Sequence, residues 1–433
     1  MEETNLDRAK KQLYPFDELD DYDQRDIKHL KGAFGQYEPI LNEHLTRLNL
    51  RELSDRLAWI PFEVFQDVQQ LAKGGFATVY TAKLDYPLLH VGEDKMVALK
   101  VLSPRLLQEV VFSSQLSYIT HKVPVTMTVF GLSQDPGNRL MMVMEYGTHG
   151  NMEQMSKAST WNRVIDVAFE LTRRLQTMHT CGIIHQDLHP GNIVFINEFP
   201  RFIDIGLGKA VEGWVDDKST YGRPWYHPPE VLQRKPYTKE SDIYCLATLL
   251  WQLVSGVPPR YSAEVWKARE DHLREDLIPD APAGFNDILK RCWDPEPSKR
   301  PTAGEFSQLV NTCRTKNTLF HRSRKLKYFS PETEAFIAKC KANFQKDMPK
   351  DVSNHESFVF CSTSNSSQLM SNAELEEYVK QSMLLFHRHK LMETVEMDLG
   401  QGQSGGQDDI KLPKDAESSL SVDSTMKKDG EEP

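Results

Sequence analysis

The segment Ile184-His185-Gln186-Asp187-Leu188-His189-Pro190-Gly191-Asn192-Ile193-Val194 constrains this chain more than any other. Apolar residues lead into it and out of it, so it reads as a short polar loop held between two buried strands. A single acid in such a loop is by default a turn former. Here Asp187 is followed five residues later by Asn192, and a second acid stands next to glycine in Asp204-Ile205-Gly206. Oxygen ligands of these three kinds suit Mg²⁺ bound to a nucleotide polyphosphate.

The chain has 433 residues, room for one large domain or two ordinary ones plus extensions. With 39% hydrophobic and 26% charged residues it is ordinary for a globular protein. The net charge of −10 argues against a general nucleic-acid binder. Six cysteines lie far apart with no CxxC pair, which fits reduced thiols in a cytoplasmic protein and not a disulfide scaffold or a zinc site. The first residues, Met1-Glu2-Glu3-Thr4-Asn5, lack the apolar core of a signal peptide. The longest apolar stretch, residues 243–257, is interrupted by Thr248, Gln252 and Ser255. It falls short of the ~20 residues that span a bilayer, so a buried helix is expected and no transmembrane segment.

Upstream of the polar loop, residues 65–83 read as strand, small-residue turn, strand, with Leu71-Ala72-Lys73-Gly74-Gly75-Phe76-Ala77 and Val79 about the turn. Lys100 ends the buried strand Val97-Ala98-Leu99-Lys100, and Glu109 follows nine residues later. An apolar run, Leu140 to Met144, ends in a polar turn at Glu145-Tyr146-Gly147. After Trp161 the spacing of Val164, Val167, Ala168, Leu171, Leu175 and Met178 predicts a helix that delivers the polar loop.

Taken in order, these segments resemble a eukaryotic-type protein kinase of the tyrosine-kinase-like branch, over about residues 65–313. Residues 185–192 are similar to the catalytic loop H-R-D-L-x-x-x-N, and Asp204-Ile205-Gly206 to D-F-G. The turn at residues 72–77 is similar to the glycine-rich loop. Only its middle glycine, Gly74, is kept, and Ala72 and Ala77 replace the outer two. The close of residues 221–230 resembles G-T-x-x-Y-x-A-P-E, and the Cys292-Trp293-Asp294-Pro295 wording suggests the branch. The resemblance implies an α+β, bilobal fold with a small β-rich N-lobe and a mostly helical C-lobe. It implies ATP and Mg²⁺ as cofactors and a protein as substrate, with Ser/Thr the expected acceptor.

The same match assigns roles. Asp187 would be the catalytic base, and Asn192 and Asp204 would hold the metal. Lys100 would bind the phosphates and pair with Glu109, while His189 would stand where a phosphate-binding lysine is usual. Leu71, Val79, Ala98 and Val194 would sandwich adenine. Met144 would be the gatekeeper, and the backbone of Glu145, Tyr146 and Gly147 would bond the base. Residues 71–77, among them Lys73, Gly75 and Phe76, would cover the phosphates. Asp242 would support the catalytic loop, and Arg300 would pair with Glu230.

Departures from the family pattern bear on activity. Gln186 replaces the arginine that usually meets a phosphate on the activation segment, so activity is not expected to wait for that phosphorylation. His189, mostly neutral at pH 7, is a weaker counterion than lysine. Arg223 stands where Ser/Thr kinases usually carry threonine and could supply the missing cation. The alternatives are a pseudokinase scaffold and, further off, a small-molecule phosphotransferase whose loop residues 185–192 also resemble.

Outside residues 63–313, residues 1–30 are acidic and expected to be disordered, and residues 31–62 form a helical extension with Pro39 in a first turn. Residues 39–58 are expected to form one or two helices. Residues 314–350 read as a basic helical extension whose run 321–327 could meet an acidic partner. Residues 351–397 read as a Ser/Asn-rich linker and an amphipathic helix, and residues 398–433 as a disordered tail.

Overall fold

The computed structural model describes residues 5–73, 77–84, 95–103, 106–118, 124–154, 158, 160–205, 209–210, 224–233, 235–259, 274–319 and 328–346. Gly74, Gly75, Phe76, Gly206, Arg223, the basic run 321–327 and the segments expected over residues 351–433 lie outside them.

Residues 5–30 differ from the disorder expected over residues 1–30, and residues 5–33 are partly helical. They hold helix α1 (Asn5–Lys11) and helix α2 (Asp21–Ala33). The acidity read as a sign of disorder has a local use: the Asp20 carboxylate accepts the Asp23 amide at 2.7 Å as an N-cap, and Asp21 and Asp23 sit at the positive end of the α2 dipole. The sparse apolar residues are spent inward, with Ile27 and Leu30 buried. Helix α3 (Glu38–Arg47) follows with Pro39 in its first turn. The helical reading of residues 39–58 is then too long. The chain turns out at Leu48 and enters strand β1 (Ala58–Trp59).

Strand β1 is the outermost member of a six-stranded sheet ordered β1-β5-β6-β4-β3-β2. The other strands are β2 (Phe65–Lys73), β3 (Thr78–Leu84), β4 (Lys95–Val101), β5 (Val129–Gln134) and β6 (Leu140–Glu145). Ala58 and Trp59 pair in parallel with Gly131 and Leu132 of β5, while the other neighbours run antiparallel. Two-residue alternation gives this sheet two faces. Ala82, Leu84, Val97, Leu99, Met141 and Val143 point to one side and are sealed by Leu30 of α2, Phe34 and Phe130. The cross-strand partners Val79, Lys100 and Met142, with Ala98 and Met144, fall on the other. Helix α4 (Leu107–Tyr118) connects β4 to the segment leading into β5.

The rest of the described chain is mainly helical. Helix α5 (Trp161–Thr180) is capped by the Thr160 hydroxyl and buries the stripe foreseen from its spacing. It leads to β7 (Ile183–Ile184), the polar loop, and the hairpin β8 (Ile193–Ile196) and β9 (Phe199–Phe202). The pair Lys209–Ala210, strand β10, runs antiparallel to β7. Helices α6 (Pro229–Leu232), α7 (Lys239–Ser255), α8 (Phe285–Cys292), α9 (Ala303–Leu319) and α10 (Pro331–Lys346) complete the body. Helix α7 is buried nearly all round, which explains its apolar run.

The parallel β1–β5 pairing is possible because residue 131 is glycine. A Cβ built there would lie 1.9 Å from the Ala58 carbonyl oxygen. Gly131→Ala is therefore expected to push β1 off the sheet and lower the unfolding free energy by about 1–3 kcal/mol, read from urea midpoints. An unchanged midpoint would show that β1 is not held by this contact.

Candidate active site

Lys100 sits on the open face of β4, and its neighbours are set by strand register. It lies opposite Val79 of β3 and Met142 of β6. Its ammonium is buried between two carboxylates. Glu109, in the first turn of α4 and 1% exposed, receives it at 2.6 and 2.7 Å. Asp204, from the loop after β9, receives it at 2.5 Å. Burial alone would push the lysine toward its neutral form, but Asp204 and Glu109 outweigh it and hold the ammonium charged. For Glu109 burial is the largest influence and raises its pKa, with Lys100 opposing.

Asp204 has φ 58° and Gln186 has φ 70°, backbone conformations rare for residues with a Cβ. Both flank the chemistry, and both are over-determined by neighbours, as strained functional loops must be. The polar loop is pinned from below by Asp242, the fourth residue of α7. Its carboxylate accepts the His185 amide at 2.9 Å, the Gln186 amide at 3.2 Å, the Tyr237 hydroxyl at 2.9 Å, and contacts His179 Nε2 at 2.9 Å.

Above that support, Asn192 Nδ2 donates to the Asp187 carbonyl at 2.9 Å and to its carboxylate at 3.2 Å. The amide is thereby oriented, and its Oδ1 is not used in either bond. His189 Nδ1 accepts the Gly191 amide at 3.0 Å, which places the proton of the neutral ring on Nε2, 3.7 Å from Asp187 Oδ2. Burial pushes the Asp187 carboxyl up, yet His189, then His185 and His227, more than offset it and hold the group well below the usual carboxylate range. His185 is fully buried, accepts the Asp187 amide through Nδ1 at 3.3 Å, and its Nε2 has no partner among the described residues. Burial keeps it neutral by lowering its pKa.

The residues expected around a nucleotide base are brought together in part. Val79, Ala98 and Met144 share the Lys100 face. Gly147 lies against Val194, so closely that a Cβ on it would stand 3.1 Å from the valine Cβ. Leu71 on β2 is 51% exposed, and Ala72 pairs with Val79. Lys73 is exposed at the end of β2 and pairs with Thr78, while Ala77 and Tyr146 are partly buried. The Glu145 amide is spent on the Thr128 carbonyl at 2.8 Å, and its carboxylate accepts the Thr128 hydroxyl at 3.2 Å. The Glu145 amide, expected to face a nucleotide base, is thus already bonded within the sheet region. Tyr237, His179 and Thr128 were not foreseen: His179 and Thr128 work through partners more than fifteen residues away, and Tyr237, five residues before Asp242, stands in no recognised motif.

Below the loop, Glu230 of α6 meets Arg300 in a buried two-pronged pair at 2.7 and 2.8 Å. Ser241 donates to the same carboxylate at 3.0 Å, and Arg300 also donates to the Asp294 and Glu240 carbonyls. Every strong polar atom is answered, as a buried pair requires.

Comparison with known proteins agrees with this geometry. The protein kinase domain family matches residues 65–312, more than half of the chain. The chain belongs to that family, with a eukaryotic-type kinase domain. It is 26% identical over 312 residues to a rice "Protein kinase and PP2C-like domain-containing protein", covering 59% of this chain and 46% of the relative. It is 28% identical over 259 residues to the "Dual specificity protein kinase shkB" of Dictyostelium discoideum, covering 55% and 38%. To the "Serine/threonine/tyrosine-protein kinase HT1" of Arabidopsis thaliana it is 27% identical over 179 residues, covering 39% and 45%. The chain thus spans less than half the length of these relatives.

Two outcomes follow from the site. Arg300→Leu strands the Glu230 carboxylate and is expected to cost about 3–5 kcal/mol in denaturant unfolding, more than a surface arginine change. His185 has a folded-state pKa below the 6.5 of the free group, so the unfolded chain binds its proton first. Its share of stability is present above pH 6.5 and lost as pH falls through the lower folded value. Wild type should therefore lose more stability than His185→Phe between pH 7.5 and 5.5, measured by urea midpoints at each pH; equal losses would count against a buried neutral His185.

Proposed function

We propose that this chain is an ATP-dependent protein kinase that phosphorylates serine or threonine hydroxyls with Asp187 as base. The reading is carried by Lys100, fixed between Glu109 and Asp204, in one body with the oriented Asp187–Asn192 pair. Phosphoryl transfer asks mainly for positioning and charge. The three Lys100 N–H donors are taken by Glu109 and Asp204, so Lys100 would bind the α- and β-phosphate oxygens by giving up its bond to Asp204. Asp187, kept ionised, would accept the hydrogen bond of the incoming hydroxyl. The new bond joins that oxygen to the γ-phosphorus, the bond from phosphorus to the bridging oxygen breaks, ADP leaves, and the proton passes to Asp187.

The donor set fits Mg²⁺. Asp204 keeps a carboxylate oxygen beyond the one on Lys100, its side chain is 48% exposed, and Asn192 Oδ1 is turned by the bonds of its Nδ2. A carboxylate and an amide oxygen, completed by phosphate and water, make an ordinary hard-cation site. When bound, Mg²⁺ neutralises charge on the phosphate oxygens. Adenine would lie between Val79, Ala98 and Val194, with Met144 at the back and Gly147 beside the base.

A protein as substrate, and not a small metabolite, is supported by the Glu230–Arg300 pair, which braces the segment where kinases seat a peptide. Serine and threonine are favoured because further relatives from Dictyostelium discoideum carry the name "Probable serine/threonine-protein kinase", at 26% identity. With Gln186 in place of arginine, activity would not depend on phosphorylation of the activation segment. A scaffold reading draws on one observation: the His189 ring is tied to Gly191 and Asp187, not free to reach toward a phosphate.

Mg²⁺-ATP turnover on a generic protein substrate separates these readings. Asp187→Asn is expected to lower turnover by about 100- to 10,000-fold. Equal turnover in variant and wild type would sink the kinase proposal, and nucleotide binding without turnover by the wild type would support the scaffold.

A further inference from the structure

The N-terminal segment touches the machinery from both sides. Helix α1 lies against α4, which carries Glu109, and against β10, which pairs with the strand entering the catalytic loop. The Tyr14 amide donates to Gln115 Oε1 on α4 at 2.6 Å. Gln12 stands over Gly182, in the turn between α5 and β7; its Nε2 would be 3.2 Å from a Cβ there. Leu19 and Ile27 close over Tyr118, the last residue of α4, with Phe16 beside them. Lys10 ties α1 to the segment after α3 through the Asn49 carbonyl at 3.1 Å and Glu52 at 3.3 Å.

The effect on α4 is visible in its burial. Every residue from Glu109 to Tyr118 is buried, Gln115, Ser113, Ser114 and Ser117 included. A helix with so many polar residues covered all round is not held by an amphipathic stripe. It is enclosed: the sheet and Lys100 on one side, the Val125–Met127 backbone at its end, and residues 9–27 on the remaining side. Ser117 Oγ donates to the Met127 carbonyl at 3.1 Å at that end.

We propose that residues 5–27 are a built-in positioning element for α4, which keeps Glu109 on Lys100 and thereby holds the nucleotide site assembled without a separate activating partner. Ala9 and Leu19 on that segment, and Gln115 on α4 where it accepts the Tyr14 amide, are the positioning residues. The catalytic consequence rests on the kinase reading; the positioning of α4 does not, and it has its own readout.

The test uses the full chain with Ala9→Asp and Leu19→Asp together, which place carboxylates at two buried sites, and separately Gln115→Leu, which removes one hydrogen-bond acceptor and keeps the fold if the double variant does not. Amide hydrogen exchange is read at residues 5–11, 107–118 and 239–255. In the double variant α1 is expected to lose protection, α4 to exchange roughly tenfold faster or more, and α7 to stay unchanged. Gln115→Leu is expected to speed α4 exchange by about 3- to 10-fold. Turnover, where the wild type shows it, should fall in the same order. Exchange of α1 without any change in α4 would overturn the proposal, as would an α1 that stays protected in both variants. A wild type without turnover removes the kinase reading while leaving the exchange result to decide this one.

Discussion

Taking an ammonium out of water costs several kcal/mol unless opposite charge and hydrogen bonds replace the lost hydration. Lys100 meets that demand with two carboxylates from distant parts of the chain, Glu109 on α4 and Asp204 after β9. Neither carboxylate can be placed correctly unless its own element is. The sheet, α4 and the loop after β9 are thus tied into one electrostatic unit, and the rest of the structure serves to hold its three arms.

Each arm has a separate support. The sheet is sealed on its far face by α2 and Phe34. Helix α4 is fastened at its end to residues 125–127, and the Val125 carbonyl in turn accepts the Phe202 amide two residues before Asp204. The catalytic loop hangs from Asp242, itself held by a helix that is buried nearly all round. Two left-handed residues, Gln186 and Asp204, mark where backbone strain is accepted to aim side chains. Asp187 inherits its low pKa from three histidines, where the family pattern would have placed a lysine and an arginine nearby.

How much of this could be read beforehand depends on the range of the interaction. The kinase family and its fold were legible because short segments carry it: a loop with fixed spacing, a strand ending in lysine, a buried helix with an internal aspartate. The Lys100–Glu109 partnership could be named from order alone, despite a spacing of nine. Residues 5–30 were misread because acidity and few apolar residues look like disorder, whereas Asp20 caps a helix and Ala9, Leu19, Ile27 and Leu30 are buried. The end of the helical stretch near residue 58 was misread because Ala58 and Trp59 become a strand only through a glycine 73 residues away, at position 131. His179 and Thr128 act through partners distant in the chain and leave no mark on their own neighbourhood.

The central claim is that Lys100, Glu109 and Asp204 form a site for Mg²⁺-nucleotide. Calorimetric titration of the full chain with ATP, with and without Mg²⁺, tests it most directly beside Lys100→Met and Asp204→Asn. The account predicts Mg²⁺-dependent binding by the wild type that weakens by roughly tenfold or more in Lys100→Met, the loss of one charge-assisted contact, and that loses its Mg²⁺ dependence in Asp204→Asn. Equal affinity in all three proteins, or binding indifferent to Mg²⁺ in the wild type, would contradict it.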